Sequence, residues 1–223
     1  MCFSPEADLT TGIVVTAVGV DAIRHVKRPA QVMLALAPLL LGAHQIDEAF
    51  VWWGLRGQIS ASVTHVAVYI FLAIAFTLPF LVPLATMGIE PVIGRRHVMA
   101  ALLVVGALTT AALLFAIIRE PVSARISGYC IAYSAQVGYG WLLVALYVLA
   151  TCGSLLVASS RMLEVFGLAN VAAVIVLGWL TFTGFTSLWC AWAAVTSFAI
   201  ALYLRRLDRP VVPLRDVLSP VPP

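Results

Sequence analysis

The sequence predicts an all-α fold: a seven-transmembrane-helix bundle with the N-terminus outside and the C-terminus cytoplasmic. Three observations predict it. Of 223 residues, 62% are hydrophobic and only 10% charged, against roughly 45–50% and 25% in a soluble domain. The apolar share, about 138 positions, matches seven spans of roughly 20 residues each. Finally, ten of the thirteen Lys and Arg fall in alternate connections, a bias that places those connections in the cytoplasm. The same figures exclude a water-soluble globule. A net charge of +3 spread along the chain offers no basic patch for nucleic acid.

Each span is an apolar run near bilayer length. The first, 9–26, follows a short tail with Glu6 and Asp8 and precedes Arg24, Lys27 and Arg28. That tail lacks the basic region of a cleaved signal, so the span is expected to anchor itself with its N-terminus outward. The second, 29–53, leads out to Arg56. The third, 63–86, carries Pro79 and Pro83, which predict a kink. It is followed by Arg95 and Arg96, and the fourth, 97–118, by Arg119 and Arg125.

A longer outer loop then reaches 137, and its stretch Ala124–Tyr133 alternates enough for a short hairpin. The fifth span, 138–159, ends before Arg161. The sixth is 162–182, and the seventh, 186–204, ends before Arg205, Arg206, Arg209 and Arg215. Residues 1–206 thus form the transmembrane domain. Residues 207–223, with Pro210, Pro213, Pro220, Pro222 and Pro223, form a disordered cytoplasmic tail.

Polarity enters the second span at His44-Gln45-Ile46-Asp47-Glu48. With that span centred near Leu41, His44 sits about 5 Å and Glu48 about 10 Å outward of the midplane. His44 and Glu48, four apart, share a face with Gln45 and Trp52, whereas Asp47 lies on the other flank. A carboxylate at that depth is costly facing lipid and points to function. Glu48 is the candidate general acid or base and His44 its partner, with Asp47 the third ionisable group. Gln45, Trp52, His65 and Tyr69 are the candidate ligand-binding residues, the last two one turn apart in span three.

Cys2, Cys130 and Cys190 map outside, where one bridge among them is permitted with the pair open; Cys152 falls within span five. Loss of Met1 would make Cys2 an N-terminal nucleophile or a lid residue. His44, His65, a carboxylate and Cys2 are acceptable donors for a borderline metal, but no HxxxH or CxxC spacing supports a centre. Metal and cofactor therefore stay unassigned.

Met1-Cys2-Phe3-Ser4, then Ala7, and His44-Gln45 with Glu48 and Trp52 resemble an uncharacterised family of bacterial integral membrane proteins with the same beginning and a His-Gln-x-x-Glu motif in the second span. The resemblance implies a polytopic inner-membrane protein, supplies no activity, and suggests that Cys2 and the span-two cluster belong together. Other seven-span classes fit less well. Lys27 is the only lysine, so no last-span Schiff base to retinal exists. His25 and His97 lie on the wrong side for a ceramidase-like zinc site. Terpene cyclases share the chemistry of buried acids among aromatics, but their motifs are absent.

The leading expectation is an outward-facing intramembrane pocket that binds a small molecule, lipid or metal, with acid–base catalysis as its chemistry. The alternatives are a proton- or ion-coupled transporter or channel, which requires a second polar station in the inner half, and a structural membrane subunit.

Overall fold

The computed structural model of the chain describes residues 4–180 and 185–207, without the side chains of 180, 185–191, 193 and 207. Among these, seven α-helices follow in order: α1 Pro5–Arg24, α2 Val32–Leu55, α3 Ala61–Ile89, α4 Ile93–Arg119, α5 Gly140–Leu156, α6 Arg161–Leu180 and α7 Phe185–Leu207. A 3-10 turn, Pro29–Gln31, leads into α2, and a hairpin of β1 Val122–Ser127 and β2 Cys130–Ala135 separates α4 from α5. Four segments, Pro29–Leu55, Ala61–Ile89, Ile93–Arg119 and Arg161–Trp179, are long and apolar enough to cross a membrane. Helix α5 is apolar but has 17 residues, about 25 Å of rise.

Local chemistry sets the ends. Ser4 caps α1 by accepting from the Ala7 N–H at 3.2 Å, with Pro5 at the first helical position. Helix α2 closes in a Schellman turn: Gln58 N–H reaches the Trp53 carbonyl, Gly57 N–H reaches Gly54, and Gly57 takes the left-handed φ of +72° that the turn needs. The expected hairpin forms with Ser127 opposite Cys130. Gly128 opens its two-residue turn at φ +62°, the first-position glycine of a type II′ turn.

Helices α2, α3, α5, α6 and α7 pack successively into a ring that closes between α7 and α2, with α1 outside against α2 and α7 and α4 outside against α3 and α5. The α1–α2 contact is a close one. A Cβ on Gly12 would lie 2.9 Å from the Ile46 nitrogen and 3.0 Å from the Gly42 carbonyl oxygen, and one on Gly42 would lie 2.7 Å from the Thr16 nitrogen. Small residues here let two backbones touch.

Helix α3 runs unbroken through Pro79 and Pro83. Pro79 has no N–H for the Ala75 carbonyl, and the Tyr147 hydroxyl of α5 donates to that oxygen at 3.0 Å instead. Thr110 of α4 donates to the next carbonyl, Phe76, at 2.9 Å. The carbonyl released by Pro79 thus ties α3 to α5, and Phe76 accepts a further bond from α4.

The two ends of the bundle have separate cores. At the hairpin end, Val51, Trp52, Phe71, Leu72, Ile117, Val122 and Ile131 pack together. At the opposite end the core is Ala22, Leu34, Ala35, Ala85, Ile200, Ala201 and Leu204. There Arg205 donates to Asp21 through Nε and Nη2, both at 2.8 Å, joining α7 to α1.

Candidate functional site

Polar side chains collect at the hairpin end between α1, α2 and α3. On α2, His44, Gln45, Glu48 and Trp52 form one buried face: Gln45 and Glu48 are 0% exposed and His44 4%. Their spacing of three and four residues aligns them, and the Gly12–Gly42 contact one turn away presses that face against α1.

His44 is held by Phe71 of α3 in two ways. Its Nε2 donates to the Phe71 carbonyl oxygen at 3.0 Å, and its ring stacks on the Phe71 ring with centroids 4.0 Å apart. A carbonyl oxygen only accepts, so Nε2 carries the hydrogen and any proton exchange by neutral His44 falls to Nδ1. The other face of Phe71 takes Tyr133 of β2, stacked at 4.1 Å and within 7° of parallel. Hairpin, α3 and α2 are therefore joined by a three-ring stack.

A further acid completes it. Asp8, in the first turn of α1, is 0% exposed and lies within electrostatic reach of Glu48. The Trp52 indole is beside Asp8, although its Nε1 makes no hydrogen bond of good geometry with a described residue. Sequence reasoning missed Asp8 as a site residue. The available signal was its face: Pro5, Asp8, Gly12, Val15, Gly19 and Ala22 recur at helical spacing and are all buried, so the charge stands on a small-residue packing stripe.

The remaining candidates divide. Asp47 lies on the opposite flank of α2, half-buried, with Oδ2 lacking a hydrogen-bond partner among the described residues. His65 is exposed near the start of α3 and meets its neighbour Tyr69, ring centroids 4.8 Å apart. Tyr69 packs on the hairpin-end core; this pair does not join the His44–Glu48 face. Arg56 places its guanidinium over the Trp52 ring, 5.2 Å from the centroid. Cys2 lies outside the described residues, as does the side chain of Cys190. Cys130 is disulfide-bonded, and Cys152 is free and buried. Among the described residues no group of three His, Cys, Asp or Glu is placed to hold a metal ion.

Below the cluster, Val15, Leu41 and Ala194 with Leu78 form a thin apolar layer. Beyond it α2, α3, α5, α6 and α7 line a partly open pocket of about 500 Å³, within the range of small-molecule sites. None of its wall residues is Asp, Glu, Lys, Arg or His.

No curated protein and no solved structure significantly matches this chain. A family model does, over residues 1–214, and on that match the chain belongs to DUF6629, a family of unknown function.

Proposed function

We propose that the chain is a seven-span integral protein of the bacterial inner membrane, N-terminus outside and C-terminus cytoplasmic, with an acid–base site at its outer end. The membrane reading rests on the four long apolar helices and on apolar faces turned outward. Val104, Leu108, Phe115 and Ile118 on α4 and Val165, Leu168, Ile175 and Trp179 on α6 are all more than half exposed, a surface that water does not tolerate at this size. Tyr129, Tyr139 and Trp141, exposed beside the hairpin, suit an aromatic belt at the outer interface. Single cysteines test the orientation: Gln58→Cys should take a membrane-impermeant maleimide in intact cells and Gly94→Cys only after lysis. The reverse pattern would turn the bundle over.

One observation carries the acid–base reading: Asp8 and Glu48, from two helices, are buried within electrostatic reach of each other, and His44 is buried on the same face of α2 as Glu48. Carboxyl groups within reach of one another exchange protons readily once water is excluded. Glu48 acts as general acid or base, His44 exchanges its proton at Nδ1, and Asp8 and Asp47 set the local field. Gln45 and Trp52 wall the site, and Cys2 is the proposed lid or nucleophile. The absence of an ionisable side chain from the cavity wall supports a local site over a proton relay through the bundle.

Dicyclohexylcarbodiimide, an apolar reagent for protonated carboxyl groups, provides the test. The wild type should be modified at Glu48 or Asp8, and His44→Ala should change the rate at least fivefold. Unmodified carboxyls in the wild type, or a rate indifferent to His44, would remove acid–base chemistry from this cluster.

A further inference from the structure

We infer that the outer end of the groove between α4 and α5 is a binding site for one phospholipid whose headgroup carries both a phosphate and a primary ammonium, a phosphatidylethanolamine in chemical class. The inference rests on the membrane reading of the chain and not on the acid–base site.

The level of the groove comes first. Between Val104 and Ile118 every exposed residue of α4 is apolar, and the next two residues, Arg119 and Glu120, are exposed and charged. That change marks the outer edge of the hydrocarbon layer. Arg119 and Gly138 line one open pocket, and Tyr139 and Trp141, exposed just beyond Gly138, are the residue types that settle among headgroups. The pocket therefore opens where the headgroups of the outer leaflet lie.

Its wall has two parts. Ala112, Phe115 and Ala116 of α4 with Leu143 of α5 form an apolar part, and Arg119 and Glu120 form a charged one. The alanines leave room beside Phe115 and Leu143 for a hydrocarbon chain. An apolar groove open to lipid accepts any such chain, so selection falls to the charges.

Charge complementarity chooses the headgroup. Arg119 lies over the Phe115 ring, 4.9 Å from its centroid, which keeps the guanidinium beside the apolar part of the wall. Among the described residues neither Arg119 nor Glu120 makes an ion pair or a side-chain hydrogen bond. The guanidinium N–H groups are thus available to a phosphate, which they bind in pairs, and the carboxylate oxygens to an ammonium, which has three N–H donors. A phosphatidylethanolamine headgroup joins those two charges in one molecule. A headgroup with a phosphate alone would satisfy Arg119 but bring negative charge beside Glu120 without a cation to offset it.

Phosphatidylethanolamine and phosphatidylglycerol with the same acyl chains differ in this respect. The full-length protein in detergent is offered both lipids in equal amounts and read by native mass spectrometry. The one-to-one adduct with phosphatidylethanolamine should exceed the other at least threefold. Glu120→Gln should bring the two adducts to equality, and Arg119→Gln should reduce both at least threefold. Arg125→Gln, which removes an exposed charge from the hairpin, should leave the wild-type pattern unchanged. Equal adducts on the wild type, or an excess of phosphatidylglycerol, would overturn the inference. So would a preference that survives Glu120→Gln, or an Arg125→Gln effect as large as that of Arg119→Gln. Should a variant fail to fold, the wild-type comparison decides alone. A chain that stayed in solution without detergent would remove the membrane reading as well, whereas a detergent-dependent chain with equal adducts removes the headgroup site alone.

Discussion

His44 touches Phe71 twice, through an Nε2 hydrogen bond to its carbonyl oxygen at 3.0 Å and a ring stack at 4.0 Å. The two contacts are chemically separable. His44→Ala removes both and should cost about 1–3 kcal/mol, the sum of a buried hydrogen bond and an aromatic pair. His44→Phe keeps the stack and should recover roughly half of that loss. Thermal unfolding in detergent ranks the three proteins; an alanine variant as stable as the phenylalanine one would show that the stack carries nothing.

Gly42 holds α1 and α2 in backbone contact, and Asp8 reaches the Glu48 face only because that contact is so short. A side chain at Gly42 meets the Thr16 backbone, which cannot rotate away. Gly42→Val should therefore separate the helices and destabilise the protein by about 1–3 kcal/mol or more. It should also raise hydrogen exchange along α1 while leaving α5 and α6 unchanged. Uniform exchange throughout would mean that the crossing is not the weak point.

How much of this was legible in the sequence depends on whether the information is local. The helices are read from continuous apolar runs, and the hairpin from alternation closed by Gly128. His44, Gln45, Glu48 and Trp52 share a face by spacing alone. Asp8 escaped because its partners belong to another helix, and nothing in a one-helix pattern shows which charge will be covered. The same limit explains His65, whose spacing with Tyr69 marked it as a binding candidate but which is exposed near the start of α3. The cavity was invisible for a related reason: leucines that line a void and leucines that fill a core have the same periodicity.

Tyr147 replaces the donor that Pro79 lacks, so the two positions should be coupled. Tyr147→Phe leaves the Ala75 carbonyl without its hydroxyl partner and should cost about 1–3 kcal/mol. In a Pro79→Ala background the helix supplies its own N–H, and the same substitution should cost less than half as much. A double-mutant cycle from unfolding free energies measures the difference. Additive effects would mean that the tyrosine hydroxyl satisfies nothing that the proline released.

Glu90 joins three segments at the end opposite the hairpin. It follows α3, accepts from the Val92 N–H at 3.0 Å beside α4, and accepts from both the N–H and the hydroxyl of Ser159 between α5 and α6. Burial alone raises the pKa of this carboxyl, but the hydrogen bonds from Ser159 and Val92 outweigh it and hold the group below its ordinary 4.5, with Arg95 adding a smaller favourable field. Because the folded value is depressed, the carboxylate contributes its full stabilisation above the unfolded value near 4.5. That contribution is lost as pH falls through the folded value. The wild type should therefore lose melting temperature steeply below pH 4.5. Glu90→Gln, which cannot titrate, should start lower by about 1.5–3 kcal/mol and decline less over the same range. Parallel pH profiles for the two proteins would show that acid sensitivity arises elsewhere and that Glu90 is not the ionised link between α3, α4 and the α5–α6 turn.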